Sequence, residues 1–258
     1  MVTLTGACRV MGLREGDPVR HEGFRVWRHV GRETGAQAVS LRILEVDPGA
    51  VTPGLANGEC EEVLFVLEGR GTAHIDGWPH AIEPETGLFV PPRAQMVLAA
   101  SAAGPLTLVS AQCPDPGAAL RLVAPLTSPA ASPLRGVVAR LGDREARPTG
   151  DRWYRVLIDD TLGSSQVTQF VGAIPPGRAP DHFHEYEEVL CFLGGEGRLW
   201  AGEVSAPVGP GHCAFLPRGQ VHCTENTGRG ELRLLGIFHP AGSPAVSYSP
   251  DRPPRASA

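Results

Sequence analysis

The chain reads as all-β, with one strand pattern occurring twice in tandem, and three observations carry that reading. Gly 32 and Pro 25 among 258 residues supply the tight turns that many short strands require. Apolar runs are short and alternate, as in residues 39–43 (VSLRI), and turn signals such as Asp76-Gly77 punctuate them. Residues 62–71 (EVLFVLEGRG) recur as 188–197 (EVLCFLGGEG), Pro48-Gly49 recurs as Pro176-Gly177, and 92–95 (PRAQ) aligns with 217–220 (PRGQ). Self-similarity of this kind marks a duplicated unit.

In chain order, residues 1–37 are mixed and predict an N-terminal strand arm around Phe24-Arg25-Val26-Trp27. Residues 39–43 open the first barrel, and Leu106-Thr107-Leu108-Val109 closes it. Residues 114–134 are rich in Pro and Ala, which predicts a connection with a short helix near Ala118 to Val123. Strand character resumes at 151–158, residues 166–174 lead into the second motif, and 232–238 form its last strand. The predicted organisation is a first β-rich unit over 1–113, a connection over 114–150, a second β-rich unit over 151–240 and a Pro-rich tail over 241–258, extended or disordered. The length suits two domains of about 100 to 120 residues each.

The chemistry concentrates in the second copy. His182 and His184 stand two apart, so on a strand both imidazoles face one side. Glu188 follows at the start of an apolar run, and His222 arrives after a Gly/Pro-punctuated stretch. Three imidazoles and one carboxylate converging on a point make a site for a divalent transition metal: Fe, Mn, Ni, Co or Zn, with Ca a poor match. Four protein ligands on an octahedral ion leave two positions for substrate. The first copy lacks these groups. Its slots for the paired histidines fall in residues 54–58 (GLANG), its slot for the third is read as Val97, and only Glu62 remains. One metal per chain is therefore expected, and His74 and His80 are read as ordinary polar positions.

Residues 177–226 resemble the two-part signature of the cupin superfamily. One part runs from Gly177 through His182, His184 and Glu188 to Gly195, and the other from Gly211 through Pro217 and Gly219 to His222 and Asn226. One departure is that Gly177 precedes His182 by one residue fewer than the pattern has, which touches loop length and not the ligand set. The resemblance implies a bicupin, two jelly-roll β-barrels with the metal held only in the second. It does not supply a reaction, because this fold hosts many. The leading expectation is a mononuclear Fe or Mn oxidoreductase of dioxygenase type acting on a small polar metabolite. One alternative is a non-redox isomerase or hydrolase with the architecture of the ureidoglycine aminohydrolases, although their ligand pattern differs from this one. Another is a non-catalytic small-molecule binder. A homodimer is expected by analogy and from the need to protect edge strands.

Alternation from Glu188 places Leu190 and Phe192 inward, giving the apolar wall of a small-molecule pocket, and Cys191 outward. Arg198, Tyr186 and His212 are the candidates for substrate contact or proton transfer. Arg198 shares a strand face with Trp200 and would pair with a substrate carboxylate if that face is inward. Glu187 and His239 are weaker candidates of the same kind.

Composition excludes several classes. All 23 basic residues are arginine, so lysine Schiff-base chemistry is ruled out. A net charge of -5 with no basic run gives no nucleic-acid footprint. No 18-residue apolar stretch predicts a membrane span. The six cysteines show no Cys-x-x-Cys spacing, and no apolar leader follows Met1; free thiols in a reducing cytoplasm are the expectation. Cys191, Cys213 and Cys223 are read as small buried hydrophobes.

Overall fold

The computed structural model describes residues 1–117, 120–134 and 136–250, so the last eight residues of the predicted tail lie outside it. Two β-barrels stand in tandem, each a large sheet packed face to face on a small one. The first joins a seven-stranded sheet to a five-stranded sheet, the second an eight-stranded sheet to a four-stranded one. Helical structure among the described residues is limited to short 3-10 turns, and no helix is long and apolar enough to cross a membrane.

Three cores explain the strand sequences. Leu44, Leu64 and Leu108 of the first large sheet pack on Ile75, Met96 and Leu98 of its small sheet. Leu190, Phe192 and Phe238 fill the second barrel with Leu199 and Ala201. The third core lies between the two large sheets, where Ile43, Phe65 and Val109 meet Val189, Cys191 and Ile237. The strands Glu61–Glu68 and Glu187–Gly194 are thus buried on both faces, which is why they read as continuous apolar runs. Cys191 and Cys213 face this central core, and all six cysteines are buried and free.

The barrels also exchange strands. Arg9–Gly12 pairs with His212–Leu216 and extends the second barrel's sheet, although sequence position groups it with the first. Val138–Arg140 pairs with Thr86–Val90 of the first barrel, although it sits in the stretch read as connection. Arg121–Val123 is a strand on the first barrel and not the expected helix; Ala118 and Ala119 lie outside the described residues. Its neighbours Leu55 and Ala56 offer an open edge, and edge pairing overrides the weak local helix preference.

A reciprocal pair of carboxylates locks the two barrels. Glu187 accepts hydrogen bonds from the backbone N–H groups of Gln37 (2.7 Å), Ala38 (2.8 Å) and Val39 (3.1 Å), just before the first barrel's opening strand. Glu61 accepts from the N–H groups of Ser165 and Gln166 (both 2.9 Å) and from the hydroxyls of Ser164 and Ser165 (both 2.8 Å), at the matching place in the second. Buried carboxylates satisfied by several N–H donors are strong contacts. Glu187 therefore has a structural task and is not at the mouth of the site.

Candidate metal centre

His182 and His222 form a two-way backbone bridge across the small sheet's end, His182 N–H to His222 O at 3.0 Å and the reverse at 2.8 Å. With His184 two residues on, the three rings gather at centroid distances of 4.6–5.2 Å, and one nitrogen of each lies within 4.8 Å of the others. Each Nδ1 sits 2.9 Å from a backbone carbonyl: Pro180 for His182, Val246 for His184 and Gln220 for His222. A carbonyl only accepts, so Nδ1 carries the proton and Nε2 is left with its lone pair toward the shared centre. Burial pushes the His184 imidazole down to about 4 and that of His222 to about 3; burial also lowers His182, helped by the nearby Arg152 charge. All three are neutral at pH 7, the form that ligates metal.

Glu188 comes from the neighbouring large-sheet strand, its Oε2 3.9 Å from His184 Nε2. It is 4 % exposed, and among the described residues no donor hydrogen-bonds its carboxylate. Burial raises its pKa to about 8. A buried carboxylate with no hydrogen-bond donor, beside one of three clustered neutral imidazoles, is a donor set suited to a cation. The residues fit a divalent transition metal. The space around Glu188 depends on Gly236, where a Cβ would overlap the Phe170 ring and stand 3.1 Å from Glu188 Oε1.

The cavity beyond has a volume of about 370 Å³. Leu190, Leu216, Leu234 and Phe170 give it an apolar wall; Tyr186, Thr224 and Arg152 add polar groups. Tyr186 stacks on His184 at 4.5 Å and 8°, and on Phe238 at 4.1 Å. Its phenol is pushed up by burial and by the Glu188 charge.

Of the other sequence candidates, Arg198 faces away. Leu199 and Ala201 are the inward residues of its strand, while Arg198 donates to Ser205 Oγ at 2.9 Å and lies over Trp200. The inference that Arg198 and Trp200 share a face holds, but that face is the outer one. His212 pairs with Gly12 of the added N-terminal strand, its Nδ1 3.3 Å from Gly209 O, and His239 is engaged with Gln166 O. Neither lines the cavity. Cys223 points outward and accepts from Arg178 Nε at 3.3 Å.

The groups that sequence reading missed are Arg152, Tyr154, Thr224 and the tail residues Pro244, Ala245 and Ser247, all lining the cavity. Arg152 and Tyr154 alternate on the strand Arg152–Ile158, a signal that exists in the sequence but does not say which face is inward.

Sheet register also corrects one slot of the first barrel. Trp200 pairs with Cys223 and His74 with Val97, and Gly71 matches Gly197, so Val97 stands where Cys223 does. The counterpart of His222 is Met96, which is fully buried. The left-handed residues agree: Arg93 (φ 67°) occupies the turn position of Gly219 (φ 75°), so Pro91 and not Pro92 matches Pro217.

A cupin domain family matches residues 170–238, from the strand Thr168–Ile174 to the last strand Leu232–His239 of the second barrel. Among curated proteins none matches the chain in sequence. Among solved structures, a mutant of Bacillus subtilis oxalate decarboxylase superposes with a TM-score of 0.74 at 13% identity, covering 94% of this chain and 79% of that one. Another structure of the Bacillus subtilis enzyme, studied for its Mn(II) centres, gives the same values. The putative glyoxylate-induced protein from Pseudomonas aeruginosa superposes with a TM-score of 0.73 at 18% identity, over 93% of this chain and 91% of that one. At these identities the likeness is one of fold.

Proposed function

We propose that this chain, whose second barrel matches a cupin domain family and whose fold is that of two-barrel structures, is a mononuclear Mn or Fe enzyme acting on a small, oxygen-rich carboxylate. His182, His184, His222 and Glu188 hold the ion. The observation that carries this is the cluster of three imidazoles, their Nδ1 protons all committed to carbonyls, with the buried Glu188 carboxylate 3.9 Å from His184 Nε2. When bound, such an ion supplies Lewis acidity toward substrate oxygens and, as Mn or Fe, electron transfer with O2.

The chain's own residues define the rest. Arg152 is the one cation among the residues lining the cavity; its Nε lies 3.8 Å from Asp151 and it makes no hydrogen bond among the described residues. A guanidinium so placed recognises a carboxylate through paired N–H donors. Leu190, Leu216 and Phe170 exclude water and strengthen that contact. The Tyr186 hydroxyl, its pKa raised by burial and by the Glu188 charge, stays protonated at neutral pH and lines the same cavity.

For the reaction we favour oxidative cleavage of dioxygenase type. A non-redox carbon–carbon cleavage is the second reading, supported by the fold shared with oxalate decarboxylase. Purified protein loaded with Mn(II) or Fe(II) should be screened on oxalate, glyoxylate and related short carboxylates, following O2 uptake and CO2 release together. Stoichiometric O2 uptake supports the first reading, and turnover at the same rate without O2 supports the second. A protein that retains no ion after loading with Mn, Fe, Co, Ni or Zn removes both.

A further inference from the structure

Two of the three imidazoles are oriented from within their own loops. The carbonyls that fix His182 and His222 belong to Pro180 and Gln220, each two residues upstream. His184 differs, since its Nδ1 acceptor is Val246, 62 residues away and beyond the last barrel strand. The segment carrying Val246 is pinned at both ends. Gly242 N–H donates to Thr168 Oγ1 at 3.0 Å, and Thr168 Oγ1 donates to Gly242 O at 3.0 Å. Phe183 and Tyr248 exchange backbone hydrogen bonds of 3.0 Å each, with their rings 5.6 Å apart. Between the pins a turn from Ser243 O to Val246 N–H aims Pro244, Ala245 and Ser247 into the cavity. The Val246 side chain is 45% exposed. The segment is therefore held by a handful of hydrogen bonds rather than by apolar burial, the character of a unit that opens locally at low cost.

We infer that residues 243–248 form a strap that both roofs the cavity and, through the Val246 carbonyl, positions His184, so that strap closure and metal affinity are coupled. The inference rests on the metal reading of this site and adds its regulation. With the strap down, His184 keeps its tautomer and ring orientation. With the strap up, the cavity mouth opens and His184 Nδ1–H loses its acceptor, freeing the ring to turn. Partners of this kind set ligand basicity and orientation, and their loss lowers metal affinity by roughly 10–100-fold. By reciprocity, a bound ion that fixes His184 favours the closed strap to the same extent. Val246 is a positioning residue here, acting only through its backbone.

The test compares the full chain with a variant ending at Gly242, a control ending at Pro250, and the point variants Tyr248→Pro and Tyr248→Phe. Tyr248→Pro removes the N–H that donates to Phe183; Tyr248→Phe keeps it. Co(II) serves as the probe, read by its ligand-field absorption, and Mn(II) affinity is measured by calorimetry. The expected result is a roughly 10–100-fold weaker affinity and an altered Co(II) spectrum for the Gly242 variant and for Tyr248→Pro. The Pro250 control and Tyr248→Phe should behave as the full chain, and metal-free melting should change little across the set. Equal affinity and an unchanged spectrum without the strap overturn the inference while leaving the metal site standing. A full chain that binds neither ion sinks the metal reading and this inference with it. Should the Gly242 variant fail to fold, Tyr248→Pro against Tyr248→Phe decides alone.

Discussion

The two barrels place a glutamate at the same register position and treat it in opposite ways. Glu62 pairs across the sheet with Gln112, and Ser110 with Arg42; in the second barrel Glu188 pairs with Phe238, and Gly236 with Phe170. Around Glu62 the substitutes are polar. Arg42 donates to it at 2.7 Å, Ser110 at 2.5 Å and Gln112 at 3.3 Å, while Gln112 also reaches Asn57 at 2.9 Å. Around Glu188 the same places hold two phenyl rings and a glycine, and His222 stands where the first barrel has Met96. Donors of its own barrel satisfy Glu62, whereas among the described residues no donor hydrogen-bonds Glu188. The first barrel's interior charge is thus closed by a guanidinium, and its large sheet packs on that of the second barrel.

The largest effect should come from breaking the internal pair. Arg42→Ala leaves Glu62 buried and uncompensated, and we expect a loss of about 3–5 kcal/mol in urea unfolding, with the metal content of the second barrel unchanged. The double replacement Arg42→Met with Glu62→Leu should recover most of that loss, because removing both charges removes the desolvation cost as well. A cost below about 1 kcal/mol for Arg42→Ala would mean that Glu62 is not held by the guanidinium. Next in size is the interbarrel clasp. Glu61→Ala strands two N–H groups and two hydroxyls and Glu187→Ala three N–H groups, and each should cost about 2–4 kcal/mol. Near-equal costs would show that the two-fold arrangement is energetic as well as geometric; a null result at either would confine the clasp to one side.

The candidate metal donors were legible in the sequence, the rest of the cavity wall much less so. The two-residue spacing of His182 and His184 set both rings on one side, and the repeat located Glu62 as the counterpart of Glu188. The Met96 slip shows the limit. Pro91-Pro92 offers two alignments to Pro217, and a shift of one residue moves every side chain to the opposite face. Arg198 shows another: alternation groups it correctly with Trp200 but is silent about which side of a barrel wall is inside. The strap was illegible for a different reason. Residues 243–248 carry little apolar content and act through backbone hydrogen bonds, to which side-chain pattern is blind.

Gly236 sharpens the comparison at the level of a single methyl group. Ser110, its counterpart, uses its side chain to bond Glu62, whereas a Cβ at Gly236 would run into the Phe170 ring. Gly236→Ala should cost about 1–3 kcal/mol by overpacking and weaken metal binding, because the shifted ring presses on Glu188. Equal stability and affinity in Gly236→Ala would show that Phe170 is free to move.

The smallest effect, and the most diagnostic of the empty partner role, is the pH dependence at Glu188. Its folded pKa of about 8 stands above the ordinary 4.5, so metal-free protein holds a proton there that the unfolded chain releases. The stability this contributes is present at low pH and is lost as pH rises through about 8. His184 and His222, lowered by burial to about 4 and about 3, act in the other direction and only below 6.5. Between pH 6.5 and 8 Glu188 therefore acts alone among these groups. Metal-free wild type should lose about 1–2 kcal/mol across that window relative to Glu188→Gln, which has no proton to give up. Metal binding in the same window must expel that proton, so affinity should rise by about tenfold per pH unit and level off above about pH 8. Unfolding in urea with a chelator at about pH 6.5 and about pH 8, with calorimetric proton counting during Mn(II) titration, measures both halves. A gap between wild type and Glu188→Gln that does not change with pH would mean the carboxylate is already ionised, with a donor satisfying it as Arg42 satisfies Glu62, and the contrast between the two barrels would vanish.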